Sequence, residues 1–170
     1  MGEMLEKAIA ALKTLPEADS ERIAWEIIER VEDKTEWDRL ISAPESQEWL
    51  ENSARAALRA YEKTANKLTM NFVSLGLDNL LREEAYWQSF DELPEDIRKL
   101  AEKNYQLWKE NTKNPGLRFK QIHQTAPVFS FRVGMRHRTV GTETDDGKIV
   151  WFWVGSFETF EATIGAGGAG

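Results

Sequence analysis

Four stretches in the last third of the chain decide the fold: Leu117-Arg-Phe-Lys-Gln-Ile-His123, Val128-Phe-Ser-Phe-Arg-Val133, Met135 to Thr144, and Ile149-Val-Trp-Phe-Trp-Val154. The first alternates apolar and polar residues, the pattern of a strand with one buried face. In the third, Arg136, Arg138 and Val140 share one parity, and His137 and Thr139 share the other. Asp145-Asp-Gly-Lys148 separates the last two stretches and predicts a hairpin turn, with Asp-Gly its strongest element. The fourth is the most apolar run and predicts a central strand buried on both faces.

Working upstream, Leu93-Pro94-Glu95 opens a helix with Pro at its favoured start, and Asn114-Pro115-Gly116 ends it. Ile97, Leu100, Ala101, Tyr105 and Trp108 recur along it at helical spacing. Asp78 can cap an earlier helix running to about Asp91. Leu68 to Ser74 reads as a strand, and Ser156 to Ile164 as a short closing helix. The order over 68–164 is therefore β-α-α-β-β-β-β-α. This is an α+β fold in which two helices cover one face of an antiparallel sheet.

The front of the chain has a different texture. Residues 3–14 predict a short amphipathic helix with Leu5, Ile9 and Leu12 on one face, broken at Leu15-Pro16. A second helix carries Ile23, Ile27, Ile28 and Val31 and meets a polar interruption at 32–35. Trp37, Leu40 and Ile41 form a short apolar group. After Ala43-Pro44, a third helix carries Trp49, Leu50, Ala54, Ala57, Leu58 and Tyr61. Short helices with narrow apolar stripes need a partner, either the second half of this chain or another copy. The organisation read from sequence is an acidic helical segment over 1–67, an α+β domain over 68–164, and a flexible Gly/Ala tail over 165–170.

Composition bounds the function classes. The chain has 170 residues, 41% hydrophobic and 30% charged, with seven Trp and eight Phe to build a core. It has no run of about 18 apolar residues to span a bilayer. No basic, then apolar leader opens it. The absence of cysteine excludes disulfides, thiolate metal sites and a cysteine nucleophile, and suits a cytoplasmic protein. Net charge is −7, but residues 1–69 carry −5 and residues 70–170 carry −2. Between Asn111 and Thr142 lie Lys113, Arg118, Lys120, Arg132, Arg136 and Arg138, with no acid. An acidic front and a basic strand region are surfaces of opposite sign that can meet; the alternative is two separately solvated faces.

Several strings, in order, resemble the RelE/ParE toxin superfamily of type II toxin–antitoxin systems. They are Asp91-Glu-Leu-Pro-Glu-Asp-Ile-Arg-Lys-Leu100, Asn114-Pro-Gly-Leu-Arg-Phe-Lys120, Ser130-Phe-Arg-Val-Gly134, Arg136-His-Arg138 and Trp151-Phe-Trp-Val-Gly-Ser156. The front segment resembles the acidic antitoxins encoded beside such toxins, through Leu15-Pro-Glu17, Ile23-Ala-Trp25, Glu32-Asp33, Trp37-Asp38 and the Ala-rich stretch from Ala54 to Tyr61. The resemblance implies a RelE/ParE-like sheet domain preceded by an all-α antitoxin-like segment. A natural fusion and an engineered one account equally for the junction near Met70.

In the RelE branch such proteins cleave mRNA on the ribosome, without metal or other cofactor, using the neighbouring 2′-OH as nucleophile. The protein must help deprotonate that hydroxyl, stabilise charge on the phosphate and protonate the leaving oxygen. Lys120, Arg132, Arg136 and Arg138 are the expected catalytic cluster, with Arg118, His137 and Phe157 as further RNA contacts. Arg suits bidentate phosphate binding, and His123 or His137 could move a proton. Phe157 stands where many relatives carry His after Gly-Ser; it can stack on a base but cannot transfer a proton. Each cation also has a plainer reading: a solvent-facing edge strand for Arg118 and Lys120, and structural ion pairs for Arg132, Arg136 and Arg138. Expected partners are ribosome-bound mRNA, an antitoxin segment in cis or in trans and, as an alternative, a second copy, with no membrane. The competing function is non-enzymatic: a gyrase-type inhibitor or a catalytically inactive toxin-like module.

Overall fold

The structure is a computed structural model and describes residues 2–67 and 81–168. The strand expected over 68–74 lies outside the described residues. The chain divides into two compact units, Met1–Glu36 and Trp37–Gly170.

In the first unit, α1 (Glu3–Lys13) has no buried residue, and α2 (Glu17–Ser42) begins. Pairs one helical turn apart, Glu3 with Lys7 and Arg22 with Glu26, lie at 3.0 Å on their surfaces. Leu5, Ile9, Trp25, Ile27, Ile28 and Val31 are exposed. The polar interruption expected at 32–35 does not break α2. None of those residues is Pro or Gly, and the Thr35 hydroxyl donates to the Val31 carbonyl at 2.9 Å.

In the second unit, α2 ends and α3 (Pro44–Lys67) follows after a single residue. Helix ends leave carbonyls without partners. Here Ser46 Oγ donates to Leu40 O at 2.5 Å, and Gln47 Nε2 to Ile41 O at 2.6 Å. Of the helix expected over 78–91, the start with Asp78 as its cap lies outside the described residues; the described part is α4 (Glu84–Asp91), with the Glu83 carboxylate accepting from Ala85 N–H at its N-terminus. Immediately before it, Arg82 forms an isolated parallel bridge to Trp151. α5 (Glu95–Glu110) starts after Pro94, as its sequence predicts.

The sheet has four antiparallel strands in sequence order: β1 (Lys120–Gln121), β2 (Val128–Gly134), β3 (His137–Glu143) and β4 (Ile149–Ser156). One expectation changes. The strand foreseen over 117–123 shrinks to two residues, because Pro115–Leu117 form a 3-10 turn and Arg118 is left-handed, at φ 49°. Among the described strands, β4, the one foreseen as central, is the last in the order, and its residues from Ile149 to Gly155 are all buried. On the side of β4 away from β3, Glu83 N donates to Trp151 O at 2.9 Å, and Val154 N to Ser89 Oγ at 3.0 Å.

Helices cover both sheet faces. Against one, α4 and α5 bury Tyr86, Ala101 and Tyr105 with Phe131, Val133, Trp151 and Val154. Against the other, the end of α2, α3 and α6 (Phe157–Gly168) bury Trp37, Leu50 and Phe160 with Val128, Val140, Val150 and Phe152. Strand alternation assigns β2 side chains to the two cores in turn. In β4 the alternation is broken. Val140 pairs with Trp153 while Gly141 pairs with Trp151, so Phe152 is an extra, bulged residue. Phe152 and Trp153 therefore both enter the α3-side core. α6 continues through Gly168, four residues beyond the expected end at Ile164, so the tail expected to be flexible is helical over 165–168. No Pro interrupts it, and each helical Gly costs only about 1 kcal/mol relative to Ala.

Candidate nucleic-acid interface

The cation-bearing face is set by strand register. Lys120 lies opposite Ser130, and one step along β2 of the same parity Arg132 lies opposite Arg138. Directly paired residues project to the same side. Lys120, Ser130, Arg132 and Arg138 therefore share the sheet face that packs against the end of α2, α3 and α6. Three of the four expected catalytic cations come together.

The fourth arrives by another route. Arg136 is not part of β3; it sits in the turn between β2 and β3 with φ 60°. Its guanidinium donates to Glu158 Oε1 from Nε at 2.9 Å and from a terminal nitrogen at 2.6 Å. The Glu158 carboxyl is held below its ordinary range, first by its own backbone N–H in the opening turn of α6 and then by Arg136. The Arg136 guanidinium lies 5.0 Å from the Phe157 ring centroid, and that of Arg138 lies 5.1 Å from the same ring. Phe157 joins the two arginines from below rather than offering a face to solvent.

Residues of α2 occupy this face. Asp38 forms an ion pair with Lys120. Trp37 is 1% exposed, stacks on Phe157 at 5.3 Å and 15°, and donates from Nε1 to Ser130 Oγ at 3.3 Å. Arg138, itself 2% exposed, lies 5.7 Å over the Trp37 ring. Its guanidinium also donates to His137 O at 3.0 Å. Beside the Lys120–Asp38 pair a cleft of about 230 Å³ opens, bordered by Ile41, Gln47, Ile122 and His123.

The remaining expected residues lie elsewhere or face elsewhere. Arg118, in its left-handed turn, does not share a strand face with Lys120. Arg132 is half-buried and reaches Met135 Sδ at 2.7 Å. His137 alternates away from Arg138 along β3, and its Nδ1 contacts Met135 O at 2.9 Å. A carbonyl can only accept, so Nδ1 carries the proton. His123, named from the sequence as a possible proton carrier, is buried. It is 9% exposed, and its Nδ1 accepts from Thr125 N at 3.1 Å and Ala126 N at 2.8 Å. Those bonds place the ring proton on Nε2 and commit the imidazole to holding its loop. Phe157, expected to stack on a base, is 1% exposed and already stacked inside the protein. None of Trp151, Phe152 and Trp153 reaches out to stack on a base either; all are buried.

Sequence reasoning missed Ser130 and Trp37 as parts of this face. Ser130 carries no signal of its own inside an alternating strand. Trp37-Asp38 is visible as a string, but which side chains it meets depends on contacts more than 80 residues apart in the chain.

Among the described residues, no group of three or more His, Asp or Glu is placed to hold a metal ion, and no helix is long and apolar enough to cross a membrane. Comparison with protein-family models, with curated proteins and with solved structures gave no match for this chain.

Proposed function

We propose that residues 68–164 act as a RelE/ParE-like toxin module that binds mRNA, on the ribosome, on the sheet face of Lys120, Arg132 and Arg138, and that the end of α2 is its built-in inhibitor. The observation that carries this reading is the seating of Asp38 on Lys120, with Trp37 beside Arg138. An acidic side chain on a strand lysine takes the place of a backbone phosphate. Cations held on adjacent strands stabilise a pentacovalent phosphate more than its ground state, the requirement for cleavage by the neighbouring 2′-OH. The test compares the intact chain with Asp38→Ala on translating ribosomes, mapping mRNA ends by primer extension. New ends from the variant support the ribonuclease; intact mRNA with a folded, RNA-binding variant removes it.

A second reading is favoured by one observation. His137 alternates away from the cationic face, and His123, although it borders the cleft beside Lys120 and Asp38, has its Nδ1 committed to its loop. A strand face that carries cations but no histidine of its own suits binding without chemistry, to a gyrase-type partner or to the acidic helices alone. Growth arrest by Asp38→Ala with intact mRNA and blocked DNA supercoiling would establish that reading.

A further inference from the structure

Trp37 belongs to the α3-side core but has polar neighbours as well as apolar ones. One face lies flat on Phe157, and Phe160 meets it edge-on at 5.1 Å and 69°. At its edge sits the Ser130 hydroxyl, 1% exposed, and over the ring lies the Arg138 guanidinium, 2% exposed. The next residue of α2 places a carboxylate on Lys120, which is directly across the sheet from Ser130. Buried polar groups need hydrogen-bond partners, and here Ser130 Oγ accepts from the Trp37 indole while Arg138 donates to the His137 carbonyl, so polar groups are held in place around the ring. A stacking platform, a polar group at the ring edge and a cation one strand away are together the features of a single-stranded nucleotide subsite.

We infer that Trp37 and Asp38 fill a purine-nucleotide subsite, the indole in place of the fused base against Phe157 and the carboxylate in place of the phosphate on Lys120. Indole and purine share a fused six- and five-membered outline, so the slot selects purine over the smaller pyrimidine. The Ser130 hydroxyl both donates and accepts, and so can pair with the edge of either purine. Arg138 adds a cation over the base. The inference rests on the proposed reading in one respect, that RNA lies on this face, and adds which base is bound and by which residues.

The experiment uses the full chain carrying Trp37→Ala and Asp38→Ala together, with folding checked by circular dichroism. The probes are AMP, UMP and adenosine, with 8-azido-AMP as photolabel. The variant should bind AMP about tenfold more tightly than UMP, the size of one stacking contact. Adding Lys120→Ala should erase the advantage of AMP over adenosine, and Phe157→Ala should abolish binding. Equal affinity for AMP and UMP, or binding of free indole but of neither nucleotide, overturns the inference. If the double alanine variant does not fold, Trp37→Leu with Asp38→Ala refills part of the core. Labelling of that protein within 128–134 or 157–160 supports the subsite, and its absence overturns it. Labelling without mRNA cleavage keeps the subsite and removes the ribonuclease. Cleavage by a variant that shows no base preference removes the subsite and keeps the ribonuclease.

Discussion

Asp38, in the last turn of α2, is ion-paired with Lys120, the first residue of β1, across 82 positions of sequence. Both side chains are more than one-third exposed, at 39% and 37%. Water and salt screen such a pair, so its position on the cationic face matters more than its strength.

In a double-mutant cycle, Asp38→Ala and Lys120→Ala should show a coupling of about 0.5 kcal/mol in urea unfolding, shrinking with added salt. A coupling above about 2 kcal/mol would mean that the pair is desolvated and holds the fold rather than closing a site.

Trp37 contributes through burial. Replacing a fully enclosed aromatic by Ala costs about 3–5 kcal/mol. Trp37→Ala should therefore lower the urea midpoint far more than Asp38→Ala does. Because a domain of this size is stabilised by only about 5–15 kcal/mol, that loss is a large fraction of the total.

Two glycines separate tolerance from clash. A Cβ at Gly141 would stand 2.6 Å from Trp151 Cε3 and 2.8 Å from the Val150 carbonyl, both fixed at the β4 bulge. At Gly134 it would meet only the Leu100 Cδ2 methyl, at 2.8 Å, which can swing away. Gly141→Ala should cost about 3 kcal/mol and Gly134→Ala less than about 1 kcal/mol, measured by thermal melts under one buffer.

Acid should expose the Arg136–Glu158 contact. The Glu158 carboxyl titrates below its unfolded value, so its contribution is fully present above the unfolded value and is lost as pH falls through the folded one. Glu158→Gln should thus lower stability near neutral pH and flatten the fall on the acid side. Urea midpoints at pH 7 and about pH 3 should converge in the variant relative to the intact chain. Parallel curves would assign the effect to other carboxylates.

Much of the fold was legible because it follows local rules. Val128–Val133 read as a strand, Asp145-Asp-Gly-Lys148 marked the hairpin, and Pro94 marked the start of α5, whereas the clean alternation of 117–123 overstated its strand. The candidate site was legible in part. Lys120, Arg132 and Arg138 were singled out by the acid-free run of charge together with the family resemblance, and register brings them to one face. Arg118 and Arg136 were misplaced because each takes a left-handed turn conformation, which breaks the parity on which their positions were reckoned.

Among the described residues, the sequence by itself determined the order of the later helices and strands and the concentration of cations in the sheet, because hydrophobic period and turn chemistry act over a few residues. Tertiary structure alone decided that a single bulged residue, Phe152, sends Trp153 into the α3-side core, and that Trp37 and Asp38 lie on the cationic face. Those outcomes depend on register and on the packing of segments far apart in the chain. No window of neighbouring residues contains either.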